Sequence, residues 1–332
     1  MRKSNEEVVV VTGASAGVGR AVAHAFGKRG ASVGLLARGE RGLDGAKREV
    51  ESFGGRALAV PTDVAEDHQV EAAAAAVESE YGPITTWVNV AMATVFARFV
   101  DTTAAEFARA TQVTYLGFVN GTMSALKRMV PRDSGTVVQV GSALSYRAIP
   151  LQASYCGAKF AVRGFTDSVR TELMHDGSNV WITMVQLPAV NTPQFNWCRS
   201  KLAKHPQPVP PIFQPEVPAE AVYYAAHHHR REVNVGWPTV RAIVGNKIAP
   251  RLADWYLART GVKSQQMQDV PVPGERTGNL YDPVEDKAAT HGRFDGKSRA
   301  RSPQLWATTH RPLLGAVVAA LAGAVGVARH VG

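Results

Sequence analysis

The first two-thirds of the chain alternates short apolar runs with longer amphipathic segments, and this alternation limits the fold more than any other feature. The runs "VVVVTG", "ASVGLLAR", "RALAVPTDV", "TTWVNVA", "GTVVQVGS" and "VWITMVQLP" have the length and β-branched content of strands. Between them lie Ala-, Glu- and Arg-rich stretches of helical length, among them 66–80, 102–130 and 153–175. Strand–helix–strand repetition predicts right-handed crossovers and a parallel sheet covered on both faces. The expected fold is therefore α/β, a doubly wound parallel sheet of Rossmann type, with ligands gathering at the carboxyl ends of the strands. No repeat of solenoid period is present.

With 332 residues, 45% of them hydrophobic, the chain is long enough to bury a large core. Its two cysteines, Cys156 and Cys198, lack metal-ligand spacing, so neither a disulfide framework nor a zinc site is expected and a reducing compartment fits. The opening "MRKSNEEVVVVTG" has too short an apolar run for a leader and ends in a glycine turn, which reads as a strand of a cytoplasmic protein. The formal charge of +9 is spread along the chain without a basic block interleaved with aromatics, so nucleic acid is not expected as a partner. His227, His228 and His229 are consecutive and point in different directions on a helix, so no metal site is expected there.

"VTGASAGVGRAVA" follows the first strand and opens a helix, the setting in which a glycine fingerprint carries meaning. Gly13 permits the tight turn, Gly17 lets backbone amides approach a pyrophosphate, and Gly19 lets the helix pack on the strand. The second strand ends "LLARGER", where a dinucleotide site meets the adenosine ribose. A carboxylate there would favour NAD, whereas Ala37 and Arg38 offer a guanidinium suited to a 2′-phosphate, with Arg41 as a helper. NADP(H) is the expected cofactor. Further on, "GSALSYRAIPLQASYCGAK" sets Tyr155 and Lys159 one helical turn apart on a shared face, with Ser142 upstream.

Over about residues 6 to 260 the sequence resembles the short-chain dehydrogenase/reductase family. The resemblance is carried by Thr12-Gly13-xxx-Gly17-x-Gly19, Asp63-Val64, Asn89-Val90-Ala91, Ser142, Tyr155-xxx-Lys159, and Pro188 through Thr192. It implies cofactor contacts from the fingerprint loop (Thr12, Gly13, Ser15, Gly17, Val18, Gly19) and adenine contacts from Asp63 and Val64. It further implies that Asn89, Val90 and Ala91 line the cofactor, and that Pro188, Val190 and Thr192 lie at the nicotinamide, the last two holding its carboxamide. A ketone accepting hydride develops negative charge on oxygen and needs a donor and a proton source there. Ser142 and Tyr155 supply them. Lys159 and the positive nicotinamide ring are expected to lower the phenol's pKa from about 10, and the resemblance also gives Lys159 the nicotinamide ribose.

Two positions depart from the family. An asparagine usual in the long helix after the fourth strand is replaced by Thr114, whose hydroxyl is expected to hold a water and act as a relay; Asn120, rotated by about 240° and displaced by about 9 Å, is no substitute. Met92 replaces the glycine usual after "NVA". These changes keep open a rival reading, a membrane-tethered NADP-binding sensor or scaffold without turnover. An epimerase or dehydratase fits less well, given the TGxxxGxG spacing and the short substrate region.

Residues 198–218 are proline-rich and read as an ordered loop or lid, flanked or occupied by Phe195, Trp197 and Phe213; the resemblance places this region over the substrate, which suggests an apolar substrate with a carbonyl, and packing of these aromatics in the core is the equal alternative. Cys156 reads as a packed small residue. The expected organisation is a dinucleotide-binding and catalytic domain over 1–260, a polar linker or extension over 261–311, and an apolar tail over 312–332. From Pro312 to Ala328 the tail has no charge and spans roughly 25 Å as a helix, just short of a ~30 Å hydrocarbon core. A basic excess from Arg293 to Arg311 precedes it. A membrane anchor with the domain on the cytoplasmic face and a helix packed in a homo-oligomer are the two readings.

Overall fold

The structure, a computed structural model, describes residues 7–271 and 278–311. Its centre is a seven-stranded parallel sheet of β1 (Val8–Thr12), β2 (Ser32–Ala37), β3 (Arg56–Pro61), β4 (Thr86–Asn89), β5 (Gly135–Ser142), β6 (Val180–Leu187) and β7 (Glu232–Asn234). The spatial order is β7-β6-β5-β4-β1-β2-β3. Six of the strands coincide with the six apolar runs of the sequence, and β7 is a three-residue edge strand with Val233 as its buried residue. The period of two sends Val9 and Val11 of β1 into one core and Val8 and Val10 into the other.

Helices cover both faces. On one side α1 (Gly17–Gly27), α2 (Glu40–Ser52) and α7 (Glu216–His227) pack through Phe26, Leu43, Val50 and Val222. On the other lie α3 (Asp67–Tyr81), α4 (Ala104–Thr111), α5 (Gly117–Met129) and α6 (Ala153–His175), contributing Val77, Ala110, Met129 and Leu173. The α4 start is fixed by a capping box between Thr103 and Glu106. A π turn at Gln112–Leu116 joins α4 to α5. Because strand order reverses between β1 and β4, a crevice opens at their carboxyl ends, the position a dinucleotide takes in such sheets.

Beyond β7 come α8 (Gly236–Ile248), α9 (Pro250–Ser264) and α10 (Pro303–Thr309). The described part of the extension is packed onto the domain. Ser298–Arg299 adds to a small parallel sheet with Ile212–Phe213 and Ala189–Val190, and Gln266–Pro271 pairs with Lys204–Pro206. Among the described residues no helix is long and apolar enough to cross a membrane. The apolar tail expected over 312–332 lies outside the described residues.

Candidate active site

A cleft of about 480 Å³ occupies the crevice, in the range of small-molecule sites. Its floor is the fingerprint turn. Gly13 adopts φ +68°, and a Cβ there would lie 2.8 Å from Ala91 Cα; a Cβ on Gly19 would lie 2.2 Å from the Gly13 carbonyl oxygen. Only glycine permits that approach of helix, turn and neighbouring strand. Ser15, Gly17 and Val18 line the same wall. Thr12 stands just behind it, its hydroxyl accepting from the amides of Val90 (2.9 Å) and Ala91 (3.1 Å), which locks the end of β1 to the end of β4.

At the other end, β5 delivers Ser142 and the first turns of α6 deliver Tyr155 and Lys159 to one wall. The Ser142 hydroxyl caps the turn that follows, accepting from the Leu144 amide at 3.1 Å, and is also a hydrogen-bond partner of the Tyr155 phenol. The buried Lys159 ammonium donates to the Val140 carbonyl at 2.8 Å and sits 4.2 Å over the Phe118 ring. Its Nζ is 5.7 Å from the centre of the Tyr155 ring. Ser142, Tyr155 and Lys159 are thus brought together as the sequence motif implies.

The electrostatics differ from expectation. Burial pushes the Tyr155 phenol above its usual value, with the Ser142 hydroxyl pulling the other way. Burial also takes Lys159 down to about 7, so its charge is itself weakened where it would act on the phenol. The lowered tyrosine expected from the sequence is therefore not a property of the protein groups alone.

Thr114 also departs from its expected part. Its hydroxyl accepts from the Ala93 amide (2.9 Å) and donates to the Ala93 carbonyl (2.8 Å), so it is a splint between the π turn and the segment after β4 and does not line the cleft. Asn120 donates to the Val64 carbonyl at 2.9 Å. Asn89 is not at the cleft wall either. Fully buried, it accepts from the Trp87 indole and donates to Thr122 and Gln139, a polar network that braces β4 against α5 and β5. Val90, Ala91 and Met92 are the residues of that segment that reach the cleft.

Arg38 lies on the wall at the adenosine end but is already engaged. Its guanidinium donates to the carbonyls of Asn279 (2.5 Å) and Tyr281 (2.5 Å). Arg41 accompanies it, its amide donating to Glu285 at 3.0 Å and its side chain pairing with Asp286 at 3.2 Å. Asp63, also on the wall, accepts from the Ala65 amide and is paired with Arg109, which in turn donates to the Leu280 carbonyl. Val64 lines the wall beside it. The Gly17 amide, at the start of α1, donates to the Ala289 carbonyl at 2.9 Å, and Arg20 donates to the Ala288 carbonyl at 3.0 Å. Residues 279–289 thus form a strap along this rim, with Asn279, Pro283, Val284 and Ala288 on the wall itself. Sequence reasoning missed the strap and Arg109, because contacts between residues this far apart leave no periodic or spacing signal.

Pro188, Val190 and Thr192 line the cleft opposite α6. Their loop is held by Asn191, whose side chain donates to Asp295 (2.8 Å) and accepts from the Phe294 amide (3.0 Å). The substrate end is mostly apolar, with Leu144, Ile149, Phe195, Trp197, Val209 and Leu257. Phe213 takes the other reading, buried in the main core. Cys156 is buried, its thiol pushed up to about 11 by desolvation, and is packed instead of reactive.

Comparison with known proteins agrees with this geometry. Residues 7–202 match the short chain dehydrogenase family. An uncharacterised oxidoreductase, YxnA of Bacillus subtilis (strain 168), is 31% identical over 323 residues, covering 96% of this chain and 90% of that one. The 3-dehydrosphinganine reductase of Danio rerio is 32% identical over 198 residues, 58% of this chain and 59% of its own. Among solved structures, a variant of actinorhodin polyketide ketoreductase with NADPH superposes with a TM-score of 0.62 at 27% identity, over 71% of this chain and 97% of that one. On the family match and the long relative, the chain is a member of the short-chain dehydrogenases, an oxidoreductase family.

Proposed function

We propose that the protein is an NADP(H)-dependent oxidoreductase that interconverts a carbonyl and an alcohol on a predominantly apolar substrate. The observation that carries this reading is the Ser142–Tyr155 hydroxyl pair over the buried Lys159, at the apolar end of a cleft whose floor only glycines can form.

The residues present fit a dinucleotide. Gly13, Ser15, Gly17, Val18 and Gly19 would face the pyrophosphate, Asp63 and Val64 the adenine, Val90 and Ala91 the central stretch, and Pro188, Val190 and Thr192 the nicotinamide. When bound, the cofactor supplies or accepts hydride and, oxidised, places a positive ring near the phenol. Tyr155 holds the proton that passes to or from the substrate oxygen, and Ser142 donates to that oxygen and fixes its position. Lys159 orients by its bond to Val140 and offers its remaining protons to the ribose and the phenol. Thr114 and Asn89 keep the segment around Val90–Met92 in place.

Arg38 and Arg41 favour NADP(H) over NAD(H), since β2 itself ends in Ala37 and Arg38 and supplies no carboxylate for the ribose hydroxyls. Asn279 and Tyr281 hold the Arg38 guanidinium at the rim, leaving other N–H groups of its five for a 2′-phosphate. The ketoreductase neighbour holds NADPH, which supports the same choice, and the Danio rerio relative is a 3-dehydrosphinganine reductase, which supports a carbonyl substrate.

The decisive assay follows NADPH absorbance with a panel of aldehydes and ketones of increasing alkyl length, repeated with NADH. Oxidation of NADPH, with kcat/KM rising with chain length, is expected. Cofactor binding without oxidation by any carbonyl would replace this reading with the non-catalytic sensor or scaffold.

A further inference from the structure

We propose that α8 and α9 form a docking face for an anionic lipid surface, placed at the mouth of the cleft so that an apolar substrate enters from the bilayer. The surface deepens the substrate reading above and rests on it for the purpose of docking, though not for its existence.

Helical spacing puts Trp237, Arg241, Val244 and Ile248 on one face of α8. It does the same for Leu252, Trp255, Tyr256, Arg259 and Val262 on α9. These apolar side chains face solvent: Trp237 is 63% exposed, Ile248 78%, Leu252 64% and Trp255 54%. A contiguous set of large apolar groups left in water signals a partner, whereas scattered ones do not.

The chemistry around them selects the partner. Across 236–264 the charged residues are Arg241, Lys247, Arg251, Arg259 and Lys263 against Asp254 alone, and Asp254 is paired with Arg147. The Arg259 guanidinium lies 3.8 Å over the Trp255 ring. Tryptophan and tyrosine interleaved with arginine and lysine suit the interfacial layer, where rings sit at headgroup level and cations meet phosphates. A second copy of the chain would set the same positive excess against itself across a two-fold interface, which disfavours self-association here.

Position completes the case. Pro238 and Thr239 of α8 and Tyr256 and Leu257 of α9 line the cleft, so the two helices that carry the exposed face also wall the substrate mouth, and Tyr256 belongs to both. The chain also leaves the described region beside this face. Gln304 of α10 accepts from the Gly236 amide at 2.6 Å and donates to the Asn234 carbonyl at 3.0 Å, at the start of α8. The seventeen residues from Pro312 to Ala328, which carry no charge, begin directly after Arg311.

The test uses the full chain with sedimenting vesicles of phosphatidylcholine containing phosphatidylglycerol, and of phosphatidylcholine alone. Binding to the anionic vesicles, weaker binding to the neutral ones and release by salt are expected. The triple variant Ile248→Ser, Leu252→Ser and Trp255→Ser should lower anionic-vesicle partition at least about tenfold. Its turnover of a short, water-soluble carbonyl without vesicles should be unchanged. Arg241→Gln with Arg251→Gln, which leaves the apolar groups in place, should lower partition about fivefold per residue. Equal partition of wild type and both variants would overturn the proposal, as would a triple variant that changes only oligomeric state in sedimentation velocity. If vesicle binding follows these expectations while no carbonyl is reduced, the functional reading fails and the lipid face stands.

Discussion

At the reaction end of the cleft, Ser142, Tyr155 and Lys159 come from a single short stretch, carried by one strand end and the first turns of α6. At the adenosine end, Arg38 is held by carbonyls 241 and 243 positions away, and Gly17 and Arg20 are met by Ala289 and Ala288. The first arrangement is set by local geometry and stays in register wherever the strand and helix form. The second exists only after a long loop closes, and its contacts must offset that closure entropy. Chemistry is thus built on rigid neighbours, and cofactor retention on a distant wrap. Mutations at the two ends should accordingly separate rate from affinity.

The largest separation is expected from Tyr155→Phe. Turnover should fall about 10²- to 10⁴-fold, with cofactor affinity by fluorescence titration changed by less than about twofold. Loss of both would mean the two ends are not independent. Arg38→Ala should do the reverse, weakening NADPH roughly tenfold or more while leaving NADH affinity and the rate at saturating cofactor nearly unchanged. Its thermal midpoint should also drop, because the Asn279 and Tyr281 carbonyls lose their donor.

Thr114→Val tests whether the reaction end depends on its splint. Leaving the Ala93 amide and carbonyl unpaired in a buried place should destabilise the fold by about 2 kcal/mol in denaturant unfolding, and Thr114→Ser should restore it. The last test concerns Lys159. Its folded pKa is depressed to about 7, below the unfolded value, so the unfolded chain binds more protons between the two. The cost of burying the ammonium is present in full below about pH 7, and stability rises with pH above it. Denaturant midpoints from about pH 7 to 9.5 should rise for the wild type relative to Lys159→Met; parallel curves would contradict the buried ammonium.

The same contrast explains what the sequence made legible. Six of the seven strands, the fingerprint turn and the Tyr155–Lys159 pair are each encoded within a few residues, by apolar runs, by glycine spacing and by one helical turn. Asn89 looked like a wall residue because it adjoins Val90, yet strand pleat turns its side chain into the Trp87–Thr122–Gln139 network. Arg38 was placed at the right rim, but its partners lie in a polar segment with no periodicity. Thr114 is matched by position alone, and only the fold shows its hydroxyl already engaged by the Ala93 amide and carbonyl. The Tyr155 phenol differs for another reason: among the protein groups alone, burial raises it and weakens the Lys159 charge beside it, a desolvation that no sequence spacing displays.

The strap carries a consequence for the growing chain. By Thr192 a nascent protein has Ser142, Tyr155, Lys159 and the Pro188–Thr192 loop, but the residues that close the adenosine rim leave the ribosome about ninety positions later. During synthesis the dinucleotide groove is therefore a half-open trough. A nucleotide present at that stage meets a shape that the finished protein shows only when its last third has let go.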